Sequence, residues 1–257
     1  MAQDAKFIDE AAYAKFREVA PKLGLHPSFL RDEQSLRALF AFFSQGKPLP
    51  VEETLEALAR ATNQVCSLVS TAQNVRLGTG FLVGEDRVLT ASHVLPARAE
   101  AMVCSFNNIV FTDNEVITKD LTEVEVGRVV FVSQEDGGGV SAGHLDFALL
   151  ELKKKIGGPP RGFVSLQKNR IDLNDSVYIV DHPGGGPTVV FSGGNVTKPF
   201  NNVSDLVFVH SASAADGSSG APVFDNQFDL IGMHRAPQEA VSSSQIITEL
   251  GRNGVPI

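Results

Sequence analysis

The sequence predicts a mainly β protein in which two packed, six-stranded antiparallel β-barrels follow a small α-helical domain. One observation is a change of hydrophobic pattern near residue 62, where apolar residues spaced three and four apart give way to short apolar runs. The other is that these runs are rich in Val, Ile, Leu and Phe and are bounded by Gly, Asn, Asp and Pro, as in antiparallel β-structure. We therefore expect two domains, residues 1–62 and residues 63–257.

The N-terminal domain is expected to be helical. Apolar residues at helical spacing predict helices over residues 5–22, 32–45 and 51–62, with Pro27 and Pro50 between them. A helical module of about 60 residues often docks a partner or covers a site. The alternative is an extension that packs permanently against the barrels, and the sequence leaves both interpretations open.

The apolar runs after residue 62 divide into two sets of six, followed by a predicted helix over Gln245–Leu250. The runs expected in the first barrel are Val65–Val69, Gly80–Val83, Val88–Thr90, Val103–Phe106, Val124–Val132 and Phe147–Glu151. Those expected in the second are Val164, Ser176–Val180, Thr188–Gly193, Leu206–His210, Ala221–Phe224 and Leu230–His234.

The segment from Asp216 to Pro222 reads Asp-Gly-Ser-Ser-Gly-Ala-Pro and sets a serine, Ser219, between glycines. Acyl transfer needs a hydroxyl that stands clear of the backbone and two amides that point at the carbonyl oxygen as it becomes negative. Ser219 is therefore the candidate nucleophile, with the Gly217 and Ser219 amides as the candidate oxyanion hole. Linkers and turns use the same residues, so this segment alone does not establish catalysis.

Two segments upstream supply the remaining groups of a triad. His93 follows an apolar strand and the sequence Thr-Ala-Ser, and Asp146 opens the run Asp-Phe-Ala-Leu-Leu. Alone, each has an ordinary structural explanation, as a hydrogen-bonded histidine or as a turn residue at a strand end. Together they give the order His, Asp, Ser, one of three chain orders in which unrelated folds build the same triad. We predict that His93 is the general base, that Asp146 orients its imidazole, and that Ser219 attacks.

These segments, in this order, resemble the trypsin-like serine peptidases of the chymotrypsin fold (clan PA). Further similar blocks are the Gly78-Thr79-Gly80 strand before the histidine and the hairpin that contains Asp181–Gly186, where Asp181-His182 replaces the usual Gly-Tyr. The resemblance extends over about residues 64 to 250 and is strongest to the bacterial glutamyl-endopeptidase and HtrA-like branch. It implies two chymotrypsin-like barrels and a serine endopeptidase that cleaves a protein or peptide substrate through an acyl-enzyme.

Departures from that family bear on activation and specificity. Ser218 stands where enzymes activated by cleavage carry an aspartate, so we expect the site to form without a new N-terminus. Ser213 stands where trypsin-type pockets carry an aspartate, and a preference for Lys or Arg is not expected. His234 matches the histidine with which the glutamyl branch and viral 3C-type relatives bind Glu or Gln; the alternative is that it only packs in the second barrel. The resemblance thus implies Ser213 and His234 as substrate-binding residues, with Glu, Gln or another small polar residue at the cleaved position.

Composition and spacing argue against several partners and cofactors. The net charge of −8 and the lack of a basic stripe argue against nucleic acid. No apolar run approaches the length of a membrane span, and the N-terminus carries no apolar signal core. The histidines show no metal-ligand spacing, so neither a metal nor another cofactor is expected. Cys66 and Cys104 are expected to be buried apolar residues rather than nucleophiles, and so few cysteines favour the cytoplasm.

The function that these observations predict is an intracellular serine endopeptidase, regulated by or recruited through residues 1–62. The architecture looks similar to that of intracellular bacterial trypsin-like peptidases that are tethered to helical adaptor domains in stress or antiviral (antiphage) defence. The competing interpretation is a non-catalytic protein-binding module built on a peptidase fold. Such proteins usually lose the serine or the histidine, whereas His93 and Ser219 are both present here.

Overall fold

The computed structural model describes residues 10–19, 51–96, 101–112, 115–134, 141, 143–182, 184, 190–198 and 206–256. The α-helices of this described part are α1 (Glu10–Val19), α2 (Val51–Gln64) and α3 (Ser243–Arg252). The predicted helix over residues 32–45 lies outside the described residues.

The first barrel contains six antiparallel strands that close in the order β1-β2-β3-β6-β5-β4. They are β1 (Val65–Ser70), β2 (Val75–Leu82), β3 (Arg87–Thr90), β4 (Met102–Thr112), β5 (Glu115–Ser133) and β6 (Phe147–Leu152). All six runs predicted for this barrel lie in or overlap these strands.

The second barrel closes in the order β10-β11-β12-β9-β8-β7, again with every neighbouring pair antiparallel. Its strands are β7 (Ser176–Asp181), β8 (Val190–Lys198), β9 (Val207–His210), β10 (Pro222–Phe224), β11 (Leu230–Ala236) and β12 (Glu239–Ser242). The two closed barrels confirm the predicted fold class. The prediction of a strand at Val164 is wrong: this residue lies outside the strands and donates its N–H to Leu82 O at 2.8 Å, and the sixth strand of this barrel is β12.

Buried apolar residues form three clusters that explain how the barrels pack. One fills the first barrel around Leu68 and Phe106, and another fills the second barrel around Phe208. The third lies between the barrels and joins Phe147 of the first to Tyr178 of the second. Because barrel walls that face another barrel are covered on both sides, β6 is buried at five of its six positions and lacks the polar alternation of a surface strand.

The N-terminal helices contribute to the cluster between the barrels. Tyr13 and Phe16 of α1 and Leu58 of α2 are at most 2% exposed and belong to it. Helix α2 ends at Gln64 and β1 begins at Val65, so no linker separates them. The proposed boundary between residues 62 and 63 stays a prediction.

No helix in the described part of the chain is both long enough and apolar enough to span a membrane.

Candidate active site

An open cleft of about 730 Å³ contains the imidazole of His93 and the hydroxyl of Ser219. Its other lining residues include Asp216, His234, Arg235 and Glu239. His93 belongs to the first barrel and the remaining residues to the second, so the cleft lies at the junction of the two.

Strand pairing in the first barrel brings His93 to Asp146, although 53 residues separate them in sequence. Thr90 at the end of β3 pairs with Ala148 near the start of β6. His93 follows β3 on a short 3-10 helix, Ser92–Val94, and Asp146 directly precedes β6. The imidazole Nδ1 lies 2.8 Å from Asp146 Oδ2, which is the geometry in which an aspartate orients a catalytic histidine.

The carboxylate of Asp146 is fully buried and accepts hydrogen bonds on both oxygens. Oδ1 accepts from Ser92 Oγ at 2.8 Å and from the His93 backbone N–H at 3.1 Å. Oδ2 accepts from His93 Nδ1 and from Arg235 Nε, the latter at 3.2 Å. Burial by itself would raise the pKa of Asp146, but the hydrogen bonds and charge of His93 and the hydroxyl of Ser92 outweigh it and hold the pKa below its usual value. The carboxylate is therefore charged at neutral pH.

Ser219 lies in a turn that requires glycine on both sides. Gly217 and Gly220 have φ angles of +92° and +89°, a backbone region that side-chain-bearing residues rarely occupy. At Gly220 space is also lacking, because a Cβ there would lie 2.1 Å from Thr79 O. The turn is closed by the Ser218 N–H, which donates to Ala215 O at 3.0 Å. Ser219 Oγ donates to Arg235 O at 3.5 Å, a long contact that restrains the hydroxyl weakly.

Strand β2 of the first barrel holds this turn of the second barrel in place. The Thr79 N–H donates to Ser219 O at 2.9 Å, and Thr79 Oγ1 donates to Gly217 O at 2.7 Å. These bonds use the carbonyl groups of Gly217 and Ser219. Within the described residues neither of their N–H groups donates to another backbone group.

A second buried carboxylate, Asp181 at the end of β7, contacts the turn that carries Ser219. Its Oδ2 accepts a short hydrogen bond from Ser218 Oγ, and that hydroxyl accepts from the Ala215 N–H at 3.0 Å. Burial raises the pKa of Asp181 from 3.8 to about 6. In this chain, a serine that contacts a buried aspartate thus occupies the place next to the nucleophile that carries an aspartate in cleavage-activated relatives.

His234 lines the cleft and contacts a second histidine behind it. His234 Nδ1 lies 3.2 Å from His210 Nε2, and both rings are at most 3% exposed. Burial, together with the neighbouring His210 and Arg235, lowers the pKa of His234 to about 3, and burial lowers that of His210 to about 4. Both rings are therefore uncharged at neutral pH. Ser213, the other predicted substrate-binding residue, is exposed and lies beside Ala214, which does line the cleft.

Arg235 is a residue of the cleft that no sequence pattern predicted. Its side chain is 6% exposed, and it donates through Nε to Asp146 Oδ2 and through Nη1 to Glu239 Oε2, the latter at 2.8 Å. Its position directly after His234 was visible in the sequence, but its partner Asp146 is 89 residues away. No local pattern could have paired them.

The two cysteines lie in the interior of the first barrel, away from the cleft. Burial, together with the neighbouring Cys104, raises the pKa of the Cys66 thiol well above its usual value, so the nucleophilic thiolate is disfavoured. Among the described residues, no group of three or more His, Cys, Asp or Glu side chains could hold a metal ion.

Comparison with known proteins identifies the family of the chain. A family model described as a trypsin-like peptidase domain matches residues 78–233, which is more than half of the chain and includes His93, Asp146 and Ser219. The chain therefore belongs to the trypsin-like peptidase family, and it is a serine endopeptidase by class. No protein of curated function matches the sequence.

Solved structures share the fold at low sequence identity. An inactive serine-to-alanine form of Rv3671c from M. tuberculosis H37Rv aligns over 82% of this chain and 98% of its own, with a TM-score of 0.55 and 19% identity. The MamO protease domain from Magnetospirillum magneticum aligns over 74% and 96%, with a TM-score of 0.55 and 14% identity. Neuropsin, a serine protease expressed in the limbic system of mouse brain, aligns over 76% and 96%, with a TM-score of 0.57 and 12% identity. These similarities establish the chymotrypsin-like fold of the chain.

Proposed function

We propose that the protein hydrolyses peptide bonds through Ser219, His93 and Asp146. The observation that carries this proposal is the contact of His93 Nδ1 with a buried, charged Asp146, in a cleft that also contains Ser219. A carboxylate held in this way fixes the imidazole so that Nε2 is the basic nitrogen. The surrounding glycine turn leaves the Ser219 hydroxyl and two amides available to a substrate.

In the proposed mechanism, Ser219 Oγ attacks the scissile carbonyl carbon while His93 Nε2 takes the hydroxyl proton. Asp146 stabilises the imidazolium, and the Gly217 and Ser219 amides stabilise the oxyanion. The C–N bond then breaks as His93 gives the proton to the leaving amine, which leaves an acyl-serine. Water then attacks the acyl carbon while His93 takes its proton, and the bond between this carbon and Ser219 Oγ breaks as His93 returns the proton to Oγ, which releases the acid and restores the serine.

The charges of the cleft favour an uncharged polar side chain at the cleaved position. His234 is neutral, and the charge of Arg235 is already paired with Asp146 and Glu239. Asp216 and Glu239 add negative charge to the lining. We therefore favour Gln over Glu within the preference implied by His234, since a neutral imidazole can exchange a hydrogen bond with an amide without facing a buried carboxylate. A cleavage profile dominated by Lys, Arg or large aromatic residues would contradict this preference.

The N-terminal helices are proposed to recruit or respond to a protein partner, in a cytoplasmic stress or antiviral defence role. The free, buried cysteines are compatible with a reducing compartment. The burial of Tyr13, Phe16 and Leu58 supports the alternative, a permanently packed extension. Alanine substitution of an exposed residue of these helices, such as Glu56 or Arg60, distinguishes partner recruitment from a packed extension, because it leaves the core intact. Altered partner capture with unchanged basal activity supports recruitment.

Fluorophosphonate labelling tests the catalytic proposal directly. The reagent phosphonylates a serine only where a general base and an oxyanion site are assembled around it. We expect labelling of the wild-type protein and of Ser211→Ala, which alters an exposed serine, and no labelling of Ser219→Ala. Failure of the folded wild-type protein to react would favour the non-catalytic binding module.

A further inference from the structure

Arg235 contacts both halves of the proposed triad. Its guanidinium reaches Asp146 Oδ2 at 3.2 Å, and its backbone carbonyl accepts from Ser219 Oγ at 3.5 Å. Asp146 precedes a strand of the first barrel, whereas Ser219 and Arg235 belong to the second. One residue therefore spans the junction across which the catalytic groups must be aligned.

The same guanidinium is held on its outer side by Glu239. Arg235 Nη1 lies 2.8 Å from Glu239 Oε2, and Glu239 begins β12, the strand next to the one that carries Arg235. The Arg235 side chain is 6% exposed, whereas that of Glu239 is 37% exposed and lines the cleft. A continuous chain of contacts thus runs from His93 through Asp146 and Arg235 to the wall of the substrate cleft.

The charges of these contacting residues indicate a role for Glu239. Arg235 and His93 Nδ1 contact the same carboxylate oxygen, so the guanidinium offsets much of the negative charge that would stabilise an imidazolium. Glu239 offsets the charge of Arg235 in turn. The sum of Glu239, Arg235 and Asp146 is one negative charge, which matches the positive charge that His93 acquires when it takes the serine proton.

We propose that Arg235 and Glu239 are positioning residues: Arg235 fixes the His93–Asp146 pair against the Ser219 turn, and Glu239 restores the negative charge that Arg235 removes. This inference rests on the proposed function, because it assigns these residues to the protonation of His93 during attack by Ser219. The other titratable or charged groups that share the cleft with His93 are Asp216 and His234, and the substitutions below leave both unchanged.

The test is the pH dependence of fluorophosphonate labelling in Arg235→Gln and Glu239→Gln. Loss of the cation favours the imidazolium, so the pH at which Arg235→Gln becomes reactive should rise; loss of the anion should lower it in Glu239→Gln. We expect the plateau rate constant to fall about 10- to 100-fold in Arg235→Gln and less than 10-fold in Glu239→Gln. In Arg235→Lys we expect a pH midpoint close to that of the wild-type protein but a reduced rate constant. The ammonium keeps the positive charge but cannot donate to Asp146 and Glu239 with the planar geometry of a guanidinium.

Arg128→Gln provides a matched control. It also breaks a pair between arginine and glutamate, with Glu151, but on the exposed side of the first barrel. We expect its rate and midpoint to equal those of the wild-type protein. Unchanged midpoints in the two cleft variants, or midpoints that move in the same direction, would overturn the proposal.

Titration of the His93 imidazole by NMR keeps the inference separate from the proposed function. If the wild-type protein is not labelled, the proposed function fails. Opposite shifts of the His93 titration midpoint in the two variants would still support the proposed roles of Arg235 and Glu239. Absence of those shifts would overturn the inference. If Arg235→Gln does not fold, Glu239→Gln alone provides the test, because the Glu239 side chain is 37% exposed. We then expect a lower His93 titration midpoint, and an unchanged midpoint would contradict the inference.

Discussion

Asp146 of the first barrel and Asp181 of the second are both at most 1% exposed, yet their pKa values are shifted in opposite directions. Asp146 receives four hydrogen bonds, from Ser92, from two nitrogen atoms of His93 and from Arg235, and its pKa lies below the usual value. Asp181 receives hydrogen bonds from Ser218 Oγ and from its own backbone N–H, and burial outweighs both and raises its pKa to about 6. Within the described residues its Oδ1 has no partner. At Asp146 the hydrogen-bond donors outweigh the effect of burial on the pKa, whereas at Asp181 burial outweighs the donors.

Asp146→Asn should cause the largest loss of activity. An amide in this position favours the wrong tautomer of His93, so we expect the rate of labelling or hydrolysis to fall about 10⁴-fold. The measurement is the second-order rate constant at pH 8, with circular dichroism to confirm that the fold is kept. A loss smaller than tenfold would contradict the assignment of Asp146 as the residue that orients the imidazole.

Asp181→Asn should alter the pH dependence of stability rather than catalysis. A carboxyl whose pKa is raised in the folded protein stabilises it below the unfolded value of 3.8, and this contribution is lost as the pH rises through about 6. The stability of the wild-type protein relative to Asp181→Asn should therefore decrease by about 2 kcal/mol between pH 4.5 and pH 7.5. Urea unfolding of both proteins at these pH values measures the difference, and a difference that does not vary with pH would contradict the raised pKa.

Ser92→Ala should have the smallest effect, because it removes one of four donors from Asp146. We expect a stability loss of about 1 kcal/mol and a rate reduced severalfold, with the pKa of Asp146 moved upward towards its usual value. Unfolding and labelling measured together test this expectation. A loss as large as that of Asp146→Asn would mean that the carboxylate depends on a single donor rather than on the set.

The sequence predicted the barrels and the candidate triad because their signals are local. The apolar runs locate the strands, and the flanks of His93, Asp146 and Ser219 are short motifs in a recognisable order. Strand β12 was missed because Glu239–Ser242 has only four residues and begins at a charged one. The expected strand at Val164 was wrong, because this apolar residue is buried within an irregular segment rather than in a strand.

Local sequence patterns did not predict the contacts between distant segments, although the sequence contained a signal for one of them. Ser218 and Asp181 each depart from the family pattern, and the two side chains hydrogen-bond to each other. Two departures that compensate each other are a signal by which the sequence alone could have paired these residues. Arg235 carries no such signal, since an arginine at the end of a strand is typical of a solvent-facing residue.

The crowding around Gly220 has a consequence for how this protein can change over generations. Every replacement of glycine adds a Cβ, and here that atom would meet a backbone carbonyl of β2, which no compensating side-chain mutation can remove. A descendant could therefore lose Ser219 and survive as a folded binding protein, but it could not lose Gly220 and keep this turn. Gly220 is thus a requirement of the turn itself, whereas Ser219, His93 and Asp146 are requirements of the proposed chemistry.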